Sequence, residues 1–166
     1  MELLAPAGSY ESLCAAVASG ADAVYIGGSR FSARAAAQNF NDVMLKRSIE
    51  YCKIRGVKVH IAANILIKEN EVSDFMKYMG YLNRIGADAV IIQDIGMANA
   101  VHRIYPDLPL HASTQMTCAS LESAKFLEKM GFSRIVLARE LSAGEIEHIK
   151  GILMRKLKFL CMVQSV

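Results

Sequence analysis

Nine polar side chains gather at or just beyond the ends of short apolar runs: Arg34, Asn39, Asn64, Asp94, His111, Ser113, Gln115, Arg139 and Glu140. Brought together, they would suit a polar ligand that is anionic or amide-bearing, because guanidinium groups clamp carboxylates and phosphates bidentately. The competing reading is that Arg139 and Asp94 pair with each other or with neighbours and only seal one end of the fold. His111 and Ser113 invite a nucleophile-and-base assignment, since a spacing of two puts both on one face of a strand. No acidic residue is identified to orient the base, so a structural or ligand-contacting pair is the stronger reading. No residue is assigned a catalytic role.

Positioning these groups falls to a repeated pattern. Gly20, Gly56, Gly86 and Gly131 each follow a helix-like stretch and precede a run rich in strand-forming residues. That is the signature of a left-handed glycine ending a helix and feeding a strand. Gly20-Ala21-Asp22-Ala23-Val24 and Gly86-Ala87-Asp88-Ala89-Val90 are identical, an internal echo in which Asp22 and Asp88 are expected to pin the turn. Strands are expected at 2–5, 23–27, 58–63, 89–93, 110–112, 135–138 and 158–163. Helices are expected at 10–19, 42–55, 71–85, 97–105, 121–130 and 143–153. Ser9, Asn41, Ser120 and Ser142 suit N-caps, and Ser142 with Glu145 has capping-box spacing. Met44, Ile49 and Cys52, and likewise Phe75, Met79 and Leu82, recur at helical spacing as core stripes.

Short apolar runs alternating with helices imply βαβ units and a parallel sheet buried on both faces. A doubly wound sheet would carry a glycine-rich phosphate loop after its first strand, and Pro6-Ala7-Gly8-Ser9 lacks that fingerprint. Polar residues at the C-terminal ends of several strands are the barrel pattern instead. A closed barrel takes about eight strand-helix units. The fold class expected is therefore α/β, an incomplete TIM-like barrel of about six βα units plus a seventh strand, in one domain over 1–166.

Composition narrows the function classes. The 166 residues are 53% hydrophobic and 21% charged, which excludes general disorder. The net charge of +3 is interspersed rather than in a run, so neither a nucleic-acid-binding tail nor a membrane-surface helix announces itself, and charge says little about partners. No apolar stretch reaches the roughly 18 residues of a membrane span, and the start is acidic where a signal peptide is basic. The expected location is cytoplasmic, without a membrane partner. Cys14, Cys52, Cys118 and Cys161 form no Cys-x-x-Cys pair and read as free, mostly buried thiols. His60 falls within a strand, His102 and His148 on helices, and none has metal-ligand spacing.

Six ordered segments resemble the collagenase-like peptidase family, unassigned peptidase family 32. They include Leu3 to Ser9, Gly20 to Gly28, Phe31-Ser32-Ala33-Arg34 with Asn39-Phe40, Asp94-Ile95-Gly96, His111 to Met116, and Val136 to Ser142. The resemblance implies a TIM-barrel-like fold and proteolysis of peptides or collagen. It brings no accepted catalytic residues. Other branches that it is similar to take part in oxygen-independent hydroxylation of tRNA, rRNA or ubiquinone precursors, so an RNA substrate stands beside a peptide one. Those branches imply an iron-sulfur cluster held by cysteines mostly beyond the seventh strand. No cofactor is expected in this chain, and a cluster only in a full-length form. A non-enzymatic binding domain is the third reading.

Where the family continues Phe-Val-His-Gly-Ala-x-Cys, this sequence reads Phe159-Leu160-Cys161-Met162-Val163-Gln164-Ser165-Val166. Codons that encode this end, read two bases later, can spell Phe-Val-His-Gly-Ala-Val-Cys. The expectation is that 157–166 is a frame-shifted end, that the truncated chain is inactive, and that its open barrel edges self-associate.

Overall fold

The computed structural model describes residues 2–33, 40–153 and the backbone of 158–160. Seven strands form one sheet in the order β1 (Leu4–Pro6), β2 (Ala23–Gly27), β3 (Lys58–Ala63), β4 (Ala89–Ile92), β5 (Leu110–Ala112), β6 (Phe132–Val136) and β7 (Lys158–Leu160). Every adjacent pair is parallel. Helices α1 (Tyr10–Ala18), α2 (Asp42–Lys53), α3 (Val72–Ile85), α4 (Ile95–Ile104), α5 (Leu121–Lys129) and α6 (Ala143–Leu153) alternate with the strands. This is an incomplete TIM-like barrel, its sheet open among the described residues. The expected frame-shifted segment lies outside them apart from the backbone of 158–160.

The glycine rhythm has the backbone geometry its sequence implies. Gly20, Gly56, Gly86 and Gly131 all have φ between +69 and +90, a region that costs other residues a clash with their own Cβ. The repeated pentapeptides then do the same work twice. Asp22 Oδ2 accepts from Leu3 N at 2.7 Å, and Asp88 Oδ2 accepts from Val59 N at 2.8 Å. Each carboxylate ties the start of its own strand to the strand beside it, alongside the backbone bonds from Asp22 N to Leu3 O and from Asp88 N to Val59 O.

Caps set the helix starts. Ser9, Asn41 and Ser120 accept from the backbone N–H three residues on. Ser142 N donates to Glu145 Oε2 at 2.8 Å while Glu145 N donates to Ser142 Oγ, the reciprocal box its spacing implies. On α3, Phe75, Tyr78, Met79 and Leu82 are fully buried. The α2 stripe centres on Leu45, Ile49 and Cys52, with Met44 only half-buried.

Outward strand residues, among them Val24, Ile26, Val59, Ile61, Val90, Ile92 and Ile135, pack with the helices in one core. Strand alternation turns their neighbours into the barrel. Barrels of this class usually fill that interior with branched aliphatics, in layers drawn from alternate strands. Here β3 and β5 contribute His60 and His111, both buried, whose rings meet edge to face with centroids 4.6 Å apart. Below them β2 and β4 supply only Ala23 and Ala89, which leaves room for a larger group from β6. That group is Arg134, 6% exposed, whose Nη2 reaches Glu2 Oε2 at 2.5 Å. A buried ion pair thus crosses the floor of the barrel.

Two strands start away from their expected positions. The first strand runs over Leu4–Pro6 rather than 2–5, because Glu2 is drawn to Arg134. The sixth begins at Phe132, three residues early, because Ser133 and Arg134 sit in the ladder despite their polarity. Ser133 Oγ donates to Leu110 O, which pays for its place.

Candidate functional site at the barrel mouth

The C-terminal strand ends carry a chain of hydrogen bonds between distant segments. Asn64, just beyond β3, accepts from Ala33 N at Oδ1 (3.2 Å) and donates from Nδ2 to Gln115 Oε1 at 2.8 Å. Gln115 lies on a 3-10 turn, Thr114–Met116, directly beyond β5. Ser113 anchors that turn: its Oγ accepts from Gln115 N at 3.2 Å and donates to Gln115 Oε1 at 3.4 Å. The mouth therefore holds a carboxamide pair that spans β3 and β5 above β4, supported from below by a buried serine.

The nine candidates do not share one fate. Asn64, Ser113 and Gln115 are brought into contact. His111 is one layer deeper, against His60. Asp94 has other work: Oδ1 caps α4 through Met97 N at 2.9 Å, and Oδ2 accepts from Ile67 N at 3.2 Å. Its carboxylate locks the loop after β3 to the start of α4, which begins at Ile95 rather than 97. Arg139 and Glu140 are exposed on the loop after β6, and Arg139 makes no ion pair among the described residues, with Asp94 or any other group. The loop is moored by Ala138 N donating to Cys118 O at 2.9 Å. Arg34 and Asn39 lie outside the described residues.

The sequence marks His60 only as a strand residue without metal-ligand spacing, and does not single out Tyr25 or the Glu2–Arg134 pair. A polar side chain inside an otherwise apolar run, as in Val59-His60-Ile61, was the available signal. Beside the mouth, Arg30 pairs with Asp42 at 2.6 Å and lies over the Tyr78 ring, 4.6 Å from its centroid.

The three described cysteines do not fit an iron-sulfur cluster, and Cys161 lies outside the described residues. Cys52 and Cys118 are fully buried and sit on α2 and beyond β5, with Cys14 on α1. Burial pushes the Cys52 and Cys118 thiols up, away from the thiolate that ligation needs. Among the described residues no three His, Cys, Asp or Glu side chains converge as a metal site. No described helix is long and apolar enough to cross a membrane.

An α/β barrel with its polar groups at the C-terminal strand ends is the class this geometry defines. The chain belongs to peptidase family U32, whose model matches residues 8–161. It is 36% identical over 149 residues to tRNA hydroxylation protein P of Escherichia coli, covering 90% of this chain and 33% of that protein. Against the 23S rRNA 5-hydroxycytidine synthase of the same organism it is 37% identical over 150 residues, 90% of this chain and 22% of the other. Against a collagenase of Porphyromonas gingivalis it is 31% identical over 155 residues, 93% and 37%. The chain thus spans between about a fifth and a half of the length of the hydroxylation proteins it matches. The solved structure of the U32 peptidase Mk0906 superposes with a TM-score of 0.76 at 15% identity, covering 96% of this chain and 68% of that one. At that identity the likeness concerns fold alone.

Proposed function

We propose that this chain is the barrel portion of an RNA hydroxylation protein, and that its mouth receives the base to be modified. The observation that carries this reading is the 36–37% identity, across nine-tenths of the chain, to proteins named for hydroxylating tRNA and 23S rRNA. The mouth is consistent with it. Ser113 Oγ is engaged with Gln115, and His111 packs on His60, so the pair first considered as nucleophile and base is arranged as support. Adding a hydroxyl to a base also needs an oxygen donor and an electron acceptor, which these side chains do not supply. The role assigned to this chain is holding the base and shielding it from water.

The test is genetic and chemical. Deleting the gene for this chain in its own organism, then digesting total tRNA and rRNA for nucleoside mass spectrometry, should remove a species heavier by one oxygen. Returning the gene should restore it. An unchanged nucleoside profile overturns the proposal. Proteolysis is the second reading, favoured by the collagenase at 31% identity. Cleavage of gelatin by the purified protein, lost on changing His111 or Arg139, would establish it.

A further inference from the structure

We infer that Gln115, held by Asn64, is the group that reads the base, by donating from Nε2 to a pyrimidine carbonyl oxygen; this rests on the hydroxylation reading above. The orientation of both carboxamides follows from donors that cannot accept. Ala33 N can only donate, so Asn64 must turn Oδ1 to it and Nδ2 away. Nδ2 can only donate as well, so Gln115 must offer Oε1. Ser113 Oγ approaches the same Oε1. The acceptor end of Gln115 is thereby occupied, and among the described residues both N–H groups of Nε2 are left for a ligand.

A second observation marks the place as built. Among the described residues only two non-glycine residues have positive φ, Phe31 at 58° and Thr117 at 55°. One lies two residues before Ala33 and the other two residues after Gln115, so they bracket the hydrogen-bond chain at both ends. Each loop is fastened in that conformation. Phe31 stacks edge to face on Phe75 at 5.2 Å, and Thr117 N donates to Thr114 O at 3.0 Å. Sparsely populated backbone persists where surrounding contacts over-determine it, and such sites cluster where a side chain must be aimed.

Enzymes acting on a base take it out of the stack and read its hydrogen-bonding edge. Half-buried Tyr25 on β2 and Ile91 on β4 stand in register with His60 and His111, a layer below the strand ends, and offer aromatic and aliphatic surface to such a ring. A donor pair selects a carbonyl: cytosine and uracil both carry one at C2, guanine carries one at C6 on its larger ring system, and adenine carries none. A site that hydrogen-bonds one base loses much of its affinity for a base lacking the partner atom.

The experiment is titration of the 15N-labelled 166-residue chain with uridine, cytidine, adenosine and guanosine 5′-monophosphates, read at the Gln115 and Asn64 side-chain amide resonances. Both resonances should move with the two pyrimidine nucleotides, and Gln115→Glu should weaken binding at least tenfold while the other resonances keep their positions. Gln115→Met, which keeps the length and removes the donors, should do the same. Equal response to the adenosine nucleotide, no response at these amides, or unchanged binding by both variants overturns the inference. If the amides respond but cellular RNA is unchanged on gene deletion, base reading stands and the hydroxylation proposal falls. If cellular RNA changes and the amides are silent, the reverse holds.

Discussion

Arg134 and Glu2, 132 positions apart in the chain, meet in the barrel floor with Nη2 and Oε2 separated by 2.5 Å. The arginine side chain is 7% exposed and the glutamate 22%, so the pair is shielded on the arginine side and partly hydrated on the other. Removing one partner from a buried pair strands the remaining charge, whereas replacing both with apolar groups can be close to neutral. Arg134→Met should cost about 3 kcal/mol, and Glu2→Leu with Arg134→Met together should cost much less. Urea unfolding of the two single variants and the double variant measures the coupling. Strictly additive losses would mean that the pair does not hold β1 against β6.

A close approach on the other side of the barrel gives a second prediction. A Cβ built on Gly28 would stand 2.1 Å from Tyr78 Oη, and the Tyr78 hydroxyl is buried without a hydrogen-bond partner among the described residues. Burial raises its phenol well above the ordinary tyrosine range, so it stays protonated at any working pH. Gly28→Ala should therefore destabilise by about 1–3 kcal/mol through overpacking. Tyr78→Phe, which removes an unsatisfied polar atom, should be within about 1 kcal/mol of neutral. Combined, the two changes should recover most of the loss, since the next contacts, Tyr78 Cζ at 3.3 Å and Leu45 Cδ1 at 3.4 Å, are tolerable. A double variant no better than Gly28→Ala alone would show the clash to lie elsewhere.

These two relationships also show where the sequence was legible. The turn glycines could be read because a left-handed residue is a local demand that glycine meets at a fixed place. Strands β2 and β3 have the expected bounds, being apolar runs that follow those glycines, and β5 has them as a short apolar run after Pro109. Arg134 hid the start of β6, because whether an arginine can lie inside a barrel depends on Ala23 and Ala89 opposite and on a carboxylate 132 residues away. Asp94 looked like a mouth ligand and proved to be a cap, since its partners, Met97 N and Ile67 N, are backbone groups that no side-chain pattern displays. Asn64 and Gln115 were read only as members of a wider polar mouth, and their mutual orientation depends on the Ala33 N–H, a backbone group that no side-chain pattern displays.

The echoed pentapeptides allow one interaction to be measured in two settings. Asp88 Oδ2 bonds Val59 N, whose residue is fully buried, while Asp22 Oδ2 bonds Leu3 N at an exposed site. Water can replace the second carboxylate and not easily the first. Asp88→Ala should cost about 1–3 kcal/mol and Asp22→Ala less than about 1. Asp88→Asn, which keeps an acceptor oxygen, should restore part of the loss. Thermal unfolding of the three variants is the measurement, and equal losses at the two aspartates would argue that burial of the recipient N–H is irrelevant.

Cys52 makes stability depend on alkaline pH. Its thiol is fully buried between α2 and the sheet, and desolvation, with smaller contributions from Cys14 and Asp88 against Arg55, raises it from about 9 to about 11. The sign follows from linkage. Between these values the unfolded chain has lost the thiol proton and the folded chain keeps it, so folding is penalised more as pH rises. The contribution is complete below pH 9 and is lost progressively up to about pH 11. Cys52→Ala lacks this titration and carries instead a pH-independent cost for the small cavity it leaves. The stability advantage of the wild-type chain over Cys52→Ala should therefore shrink steadily from pH 8.5 through about 10.5, in urea unfolding followed at fixed ionic strength. Below pH 8 the difference should be flat, and Cys52 should react with a thiol reagent only as fast as the chain unfolds. A constant difference across the whole range would mean that the thiolate is accommodated in the folded state, and that α2 opens to water far more readily than its buried face of Leu45, Ile49 and Cys52 implies.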